Sequence, residues 1–523
     1  IQEQQQVPLW KKGAFTFTGA ATGTSGFGLP QFLLGYMDST AVGKGDTLTE
    51  ANLRTTNWFF YGQDDWRVSD RLTVNLGLRW EYASPPTDRY GKSRAFDPDK
   101  GDLMPAPGTS GYSLVDGDWN NFAPRLGFSY RPFNHNDTAI RAGAGIYYTQ
   151  MGYDTWLYFP YNPPYSRVFS YVGDTASPNL TWSNPFPDSY QGSQVYGLQA
   201  YGITRADRRG YVGRWSLGIQ QKILPETILE VQYIGSKATK LAKKRDINQP
   251  PTPDPAPVQQ RRPLGGDWAQ VLVTYPMSND TYHGLLVEVE RRYSAGLYLR
   301  GSYTFSRSIT DAYTDDNDKY PYYQNPLDIL GAEKGLSSGH MAHRLVTSVI
   351  WDLPFGQGRQ WLSDLPGYAN WLLGGWEMGT IVAANGGRAM TVWGRQNLNL
   401  GGWLGDQPRA HRLADGSLPD DQRSIAKWFD TAAFVKPADY TFGNAGRNIL
   451  IGPGAFNVDF ALYKNFFPGL LESDRIQFRW EMFNALNHTN FNNPDTNVPN
   501  LTFGRITSAA GARQMQFSLK YEF

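Results

Sequence analysis

Four aspartates crowd into the stretch DAYTDDND at 311–318, where Asp311, Asp315, Asp316 and Asp318 bring hard oxygen donors together. Ligands of this kind hold Ca²⁺ at about 2.3–2.6 Å, so this is the candidate metal site, and Ca²⁺ is the only cofactor the chain suggests. The stretch has neither the glycine at the sixth position nor the closing glutamate of an EF-hand. A solvated acidic loop is the competing reading. A second cluster is basic. The segment KATKLAKKR at 237–245 gathers Lys237, Lys240, Lys243, Lys244 and Arg245 just after a strand. Cations at this density suit the phosphates of lipopolysaccharide, and Lys240, Lys243, Lys244 and Arg245 are the candidate contacts. An ordinary solvated basic loop is the alternative.

The third cluster is aromatic. In MGYDTWLYFPYNPPYSRVFSYV, 151–172, Trp156, Tyr158, Phe159, Tyr161 and Tyr165 offer rigid rings for stacking on a sugar, a peptide or a partner surface. A loop packed on its own small core would have the same composition. His340 and His343, in HMAH, are spaced i,i+3 but fall at a strand start, where alternation sends them to opposite sides and disfavours a metal pair. No nucleophile elbow, phosphate loop, zinc spacing or nucleotide fingerprint occurs, and no catalytic residue can be named.

The elements that must carry these clusters are strands. In RQMQFSLKYEF, 513–523, Met515, Phe517, Leu519, Tyr521 and Phe523 share one face, and Gln514, Gln516, Ser518, Lys520 and Glu522 the other. One face apolar and one polar, with an aromatic terminus, is what a strand between hydrocarbon and a wet lumen requires. The pattern recurs. Leu72, Val74, Leu76, Leu78, Trp80 and Tyr82 oppose Thr73, Asn75, Gly77, Arg79 and Glu81; Ile476, Phe478, Trp480 and Met482 oppose Gln477, Arg479 and Glu481. About fourteen such segments are expected, near 11–20, 55–68, 70–83, 121–131, 137–150, 211–224, 226–237, 281–293, 295–307, 341–353, 371–385, 454–466, 473–486 and 512–523. Each is long enough for the roughly 9–11 residues of a tilted membrane strand. Trp58, Trp66, Trp80, Trp351 and Trp480 read as interfacial girdle residues.

The connections alternate short and long, with 354–370 the one longer exception among the short ones. Outer-membrane barrels have this habit, with tight periplasmic turns and large extracellular loops, whereas soluble sandwiches have no reason for it. The 523 residues contain no cysteine, which excludes disulfides and thiolate metal sites. A net charge of +1 argues against a nucleic-acid partner. No run reaches the roughly 18 apolar residues of a membrane helix, so a membrane span here must be a closed barrel. The first residues, IQEQQQVPLW, show no signal peptide, so either it has been removed or the chain is the C-terminal part of a longer polypeptide.

Several stretches resemble the Oar-like TonB-dependent receptors. They are YGQDDWRVSDRLTVNLGLRWEY at 61–82, NFAPRLGFSYRPF at 121–133, YTFSRSITDAY at 303–313, HRLVTSVIWDLPFGQGR at 343–359, GNAGRNILIGPGAFNVDFALYKNF at 443–466 and QFRWEMFNALNHTNFNNPDTN at 477–497, followed by the C-terminal strand. The resemblance implies a barrel of about twenty-two strands around a plug, preceded by a regulatory-like domain, and energised uptake or export of a bulky solute. It also implies partnership with TonB. The sequence departs from that pattern at its beginning, where no TonB box, plug or regulatory-like domain stands and about eight strands are missing. The expectation is therefore an all-β, transmembrane, antiparallel up-and-down barrel, a single domain over 1–523 forming the C-terminal part of a larger receptor barrel in the bacterial outer membrane. Its plug and TonB would come through the N-terminal part, and its partners are outer-membrane lipid, lipopolysaccharide and an outer-membrane or surface protein. The polar inner face, with Arg79, Glu81, Arg125, Arg141, Arg300, Arg479 and Glu481, would contact the plug or water. Two rivals are a stand-alone fourteen-strand passive channel or assembly scaffold, and a secreted all-β carbohydrate-active or adhesive protein.

Overall fold

The computed structural model describes residues 2–6, 12–23, 27–45, 49–105, 113–134, 137–149, 156, 158–164, 166–172, 178–186, 198–206, 208–265, 268–312, 323–401, 408–467 and 474–523. Thirteen long strands form one continuous antiparallel ladder: β1 (Asn57–Arg67), β2 (Leu72–Ala83), β3 (Asn121–Tyr130), β4 (Thr138–Tyr148), β5 (Tyr211–Leu224), β6 (Thr227–Asp246), β7 (Trp268–Ser294), β8 (Leu297–Thr310), β9 (His343–Asp352), β10 (Trp376–Asn385), β11 (Ala455–Phe466), β12 (Arg475–Phe483) and β13 (Gln514–Glu522). Each pairs with its neighbour in sequence, β1 with β2 and so on to β12 with β13. Thirteen of the fourteen expected segments thus find places in the wall. The first, 11–20, contributes only Ala14–Thr16, and it pairs outside the wall with Ser39–Gly45, which also pairs with Ser166–Val172.

Register sorts the side chains into two faces. Leu72, Leu76 and Trp80 stand opposite Tyr130, Leu126 and Phe122, while Thr73, Gly77 and Glu81 stand opposite Ser129, Arg125 and Asn121. On the far side of the ladder, Ile476, Phe478, Trp480 and Met482 meet Tyr521, Leu519, Phe517 and Met515. Because directly opposed residues share a face, one surface of the whole ladder is apolar and the other polar. The apolar one is solvent-exposed in the isolated chain, at Leu126, Leu217, Phe517 and Leu519 among others. A soluble protein could not leave so large an apolar surface in water. Trp58, Trp66, Trp80, Trp351 and Trp480 all fall on this outer face.

Turn chemistry closes the short ends. Ala295 and Gly296 both take positive φ, 50° and 76°, which is the two-residue turn whose twist matches a hairpin. The turn after β9 is different. Residues 353–375 hold a short helix, α1 (Gly367–Leu373), before β10 begins. Among the described residues no helix is long and apolar enough to cross a membrane, which says nothing of strands.

The long connections carry the buried apolar clusters. One joins Ala95, Met104, Leu114, Trp156, Phe159, Tyr201, Ile203 and Leu272; a second joins Met390, Val392, Phe429, Phe434 and Leu450; a third joins Phe96, Ala200, Val271 and Val273. Strands β6 and β7 reach into this external layer. Their ladder continues to Asp246 opposite Leu272, well beyond the roughly 9–11 residues a bilayer needs. There Leu198–Ile203 adds to β7 in parallel, and Phe96 to Gly202.

Candidate functional site

The aromatic cluster lies in the external layer. Trp156 and Phe159 are buried, edge to face with centroids 5.3 Å apart, inside the first apolar cluster. Tyr158 stacks on Tyr201 at 4.8 Å, and Tyr161 is partly buried against the same cluster. Asn162 fixes this segment by donating to the Arg94 and Tyr201 carbonyls while its Oδ1 accepts from the Tyr201 amide. Burial raises the Tyr161 hydroxyl above its ordinary range. Tyr165 lies outside the described residues.

The basic segment is strand rather than loop. It is the outer part of β6, with Lys240 exposed at φ 58° in a bulge between Ala238 and Leu241. Lys243 points inward, buried, and donates to the carbonyls of Asp311 and Ile329. Burial lowers its pKa to about 8, against the opposing pull of Glu333 and Asp311. Lys244 is also buried, its ammonium 4.7 Å from the Tyr158 ring centre, and Arg245 donates to the Pro326 carbonyl at 3.4 Å. Lys243 and Lys244 are adjacent and so point to opposite faces of β6; both are buried because connections of the external layer pack on each face, Asp311 and Ile329 on one and Tyr158 on the other.

Of the acidic cluster, only Asp311 is described; Asp315, Asp316 and Asp318 lie outside the described residues. The Asp311 carboxylate accepts from the Asn279 amide at 2.7 Å and from the Asn279 side chain at 3.4 Å. No group of three metal-ligating side chains occurs among the described residues. His340 is buried with its Nδ1 3.4 Å from the Ser308 amide, and burial lowers its pKa; the ring of His343 meets the Tyr303 hydroxyl at 2.7 Å.

Two buried ion pairs in the external layer have no counterpart in the sequence reading. Asp246 and Arg262 are both buried, 3.8 Å apart. Asp246 also accepts from the amides of Asn248 and Val271, each at 3.0 Å, and Arg262 donates to the Asn248 carbonyl at 2.9 Å. Burial raises the Asp246 carboxyl to about 6 although Arg262 and these amides pull it down. Glu333 and Arg409 form the second pair; Arg409 donates further to the Ala332 and Ala445 carbonyls, its backbone amide donates to Gln324 Oε1 at 2.8 Å, and Gln324 Nε2 donates in turn to the Gly443 carbonyl at 2.8 Å. Asp495 is the third organiser. Its two oxygens accept from Asn497, Asn500 and Thr502, and these bonds, outweighing burial, hold its carboxyl down at about 2. The separation of 76 residues between Glu333 and Arg409 left no local pattern to find, whereas Asp495 and its donors lie within seven residues of one another.

The inner wall is the second candidate surface. Arg79, Glu81, Arg125, Arg141, Arg300, Arg479 and Glu481 all fall on the polar face. Arg79 pairs with Glu81 at 2.6 Å, and Arg300 with Glu288 at 3.0 Å. Between β2 and β5 the wall is floored by Gly77, Gly127, Gly143 and Gly145, making a shallow depression of about 470 Å³. The ring of Tyr147 stands in it with the guanidinium carbons of Arg125 and Arg214 at 4.8 and 5.8 Å. A second depression of about 470 Å³, between β9 and β12, is lined by Glu377, Asp459, Tyr463, Arg479 and Glu481. Apolar side chains also stand exposed on this inner face: Phe59 and Tyr61 opposite Glu81 and Arg79, and Ile381 opposite Ser348 and Asp459. The inner face thus combines paired charges of both signs with exposed aromatic and aliphatic side chains.

A family profile described as the outer membrane beta barrel domain matches residues 1–516. No curated protein matches the chain. Among solved structures it is similar to the outer membrane transporter YddB from Escherichia coli, with 12% identity over 92% of this chain and 49% of that one and a TM-score of 0.46. It is also similar to a chain in the FpvAI–pyocin S2 complex, with 10% identity over 91% and 40% and a TM-score of 0.44. The FrpB iron transporter from Neisseria meningitidis is a third, at 10% identity over 90% and 45% and a TM-score of 0.41. The chain spans less than half the length of each. The two-faced wall and the profile match have one explanation, for the chain belongs to the outer membrane beta barrel domain family and its place is the bacterial outer membrane.

Proposed function

We propose that this chain is part of the wall and the external layer of an outer-membrane transporter for a bulky solute, of the TonB-dependent receptor type, with a plug seated against its inner face. The observation that carries the reading is the mixed inner wall. Arg79–Glu81 and Arg300–Glu288 pair charges of both signs along it, and Phe59, Tyr61 and Ile381 stand exposed on the same face. A water-filled pore leaves apolar side chains uncovered at a cost of roughly 25 cal/mol per Å². A folded occupant covers them and satisfies the charges with its own polar groups.

The test uses the native polypeptide extracted from outer membranes. Its intact mass should lie well above that of these 523 residues, and in a planar bilayer it should be nearly silent. A mass equal to that of this chain with steady open conductance would replace the receptor by the passive channel.

A further inference from the structure

The turn between β9 and β10 is on the short-turn side of the barrel, yet it runs from 353 to 375 and folds α1. Its helix lies against the outer face. The Trp371 ring sits 4.7 Å from that of Phe466, which shares its face with Ile476 and Tyr521 in the apolar band. Lys464, also on the outer face, is buried under the helix and donates to the carbonyls of Leu372 and Gly374. Trp376 Nε1 donates to the Leu372 carbonyl at 3.0 Å. The helix's one carboxamide is engaged within the turn, since Asn370 Oδ1 accepts from the Gln357 amide at 2.7 Å. What is left outward is apolar: Tyr368 is 82% exposed, Trp371 59% and Leu372 57%.

We propose that this turn is a membrane anchor, α1 lying in the periplasmic leaflet of the outer membrane with Tyr368, Trp371 and Leu372 among phospholipid acyl chains. The occupant follows from continuity, because the exposed face prolongs the lipid-facing band through Phe466 rather than standing apart from it. Charge agrees. The turn holds one acid and one base, Asp364 and Arg359, and Arg359 is directed at Asp352 across 3.6 Å. Insertion therefore rests on apolar and aromatic burial at the interface, with no call for anionic headgroups. Lys464 gives the helix its fixed seat. Together with Trp376 Nε1 it serves the Leu372 carbonyl at the end of α1, and it serves the Gly374 carbonyl just beyond, groups that hydrocarbon could not satisfy.

The chain has no cysteine, so single labels are unambiguous. Tyr368→Cys and Leu372→Cys, in the full chain, are spin-labelled in phosphatidylcholine nanodiscs and probed with oxygen and a water-soluble nickel chelate. Leu126→Cys on the apolar face serves as the lipid reference and Asp70→Cys in the turn after β1 as the water reference. Both labels should show an oxygen-to-nickel ratio several-fold above that of the Asp70 label and close to that of the Leu126 label, unchanged when anionic phospholipid is added. A ratio at the Asp70 level would place the turn in the periplasm and overturn the proposal. Protection from both reagents would mean a protein covers the helix, and would overturn it equally. A heat-modifiable gel shift equal to that of the parent shows that each variant folds.

Discussion

Asp246 and Arg262 show how a single pair can hold an external layer. Both are buried, and removing one leaves the other as an unpaired charge, a loss of about 3–5 kcal/mol in comparable cases. Arg262→Ala should therefore open the segment around 246–274, read as faster amide exchange there with the membrane strands unchanged. The sign of the pH effect follows from the shift. The Asp246 carboxyl is raised by burial to about 6, against about 3.9 for an unfolded aspartate, so its burial costs stability as pH climbs from about 4 through 6. The deficit of Arg262→Ala should accordingly be smaller at pH 5 than at pH 8. Asp495 runs the other way. Held at about 2 by its donors, it stabilises its loop at every pH above about 4 and loses that contribution as pH falls toward 2. Asp495→Ala should cost its loop about 1.5–3 kcal/mol near neutral pH, measured by exchange of the Asn497 and Gly504 amides.

At the scale of elements, the strands were legible because alternation is local. Each of Leu72 to Tyr82 announces its face from its neighbours, and no distant residue can alter the period. The loops were not, because their structure depends on partners far along the chain. Trp156 and Phe159 look like a contact surface until Tyr201 and Leu272 are seen packed on them. The outer part of β6 reads as a basic loop until β7 is found paired to it as far as Leu272. Segment 11–20 failed for a related reason: period two identifies a strand without saying which sheet it joins. The loop cores should unfold apart from the wall. Phe159→Ala, deleting a fully buried ring, should lower the stability of the external layer by about 3–5 kcal/mol. The expected readout is protease cleavage within the loops at lower temperature, with the heat-modifiable shift of the wall unchanged.

For the whole molecule, parity matters. The first and last strands of the ladder, β1 and β13, both run toward the short-turn side, since each of them follows the outer side of the wall. Joining them directly would make a parallel pair in an otherwise antiparallel ring. An all-antiparallel closure needs an odd number of further strands between them. One intervening strand already sets β1 and β13 about 9–10 Å apart, beyond the roughly 7 Å that a disulfide tolerates between Cα atoms. Tyr61→Cys with Ser518→Cys, both on the inner face, should thus fail to cross-link under oxidation. Formation of that disulfide would mean the ring closes in parallel.

The long hairpin of β6 and β7, interrupted by the bulge between Ala238 and Leu241, has a mechanical consequence. Its longer arm, Trp268–Ser294, measures roughly 90 Å at about 3.3 Å per residue, and its hydrogen bonds lie across its length. A pull on the external layer along that axis would load many of those bonds at once instead of peeling them singly. The hairpin is a mast stepped in the wall: a pull at its outer end is carried to the membrane strands, while the loop cores packed around it keep their own, separate stability.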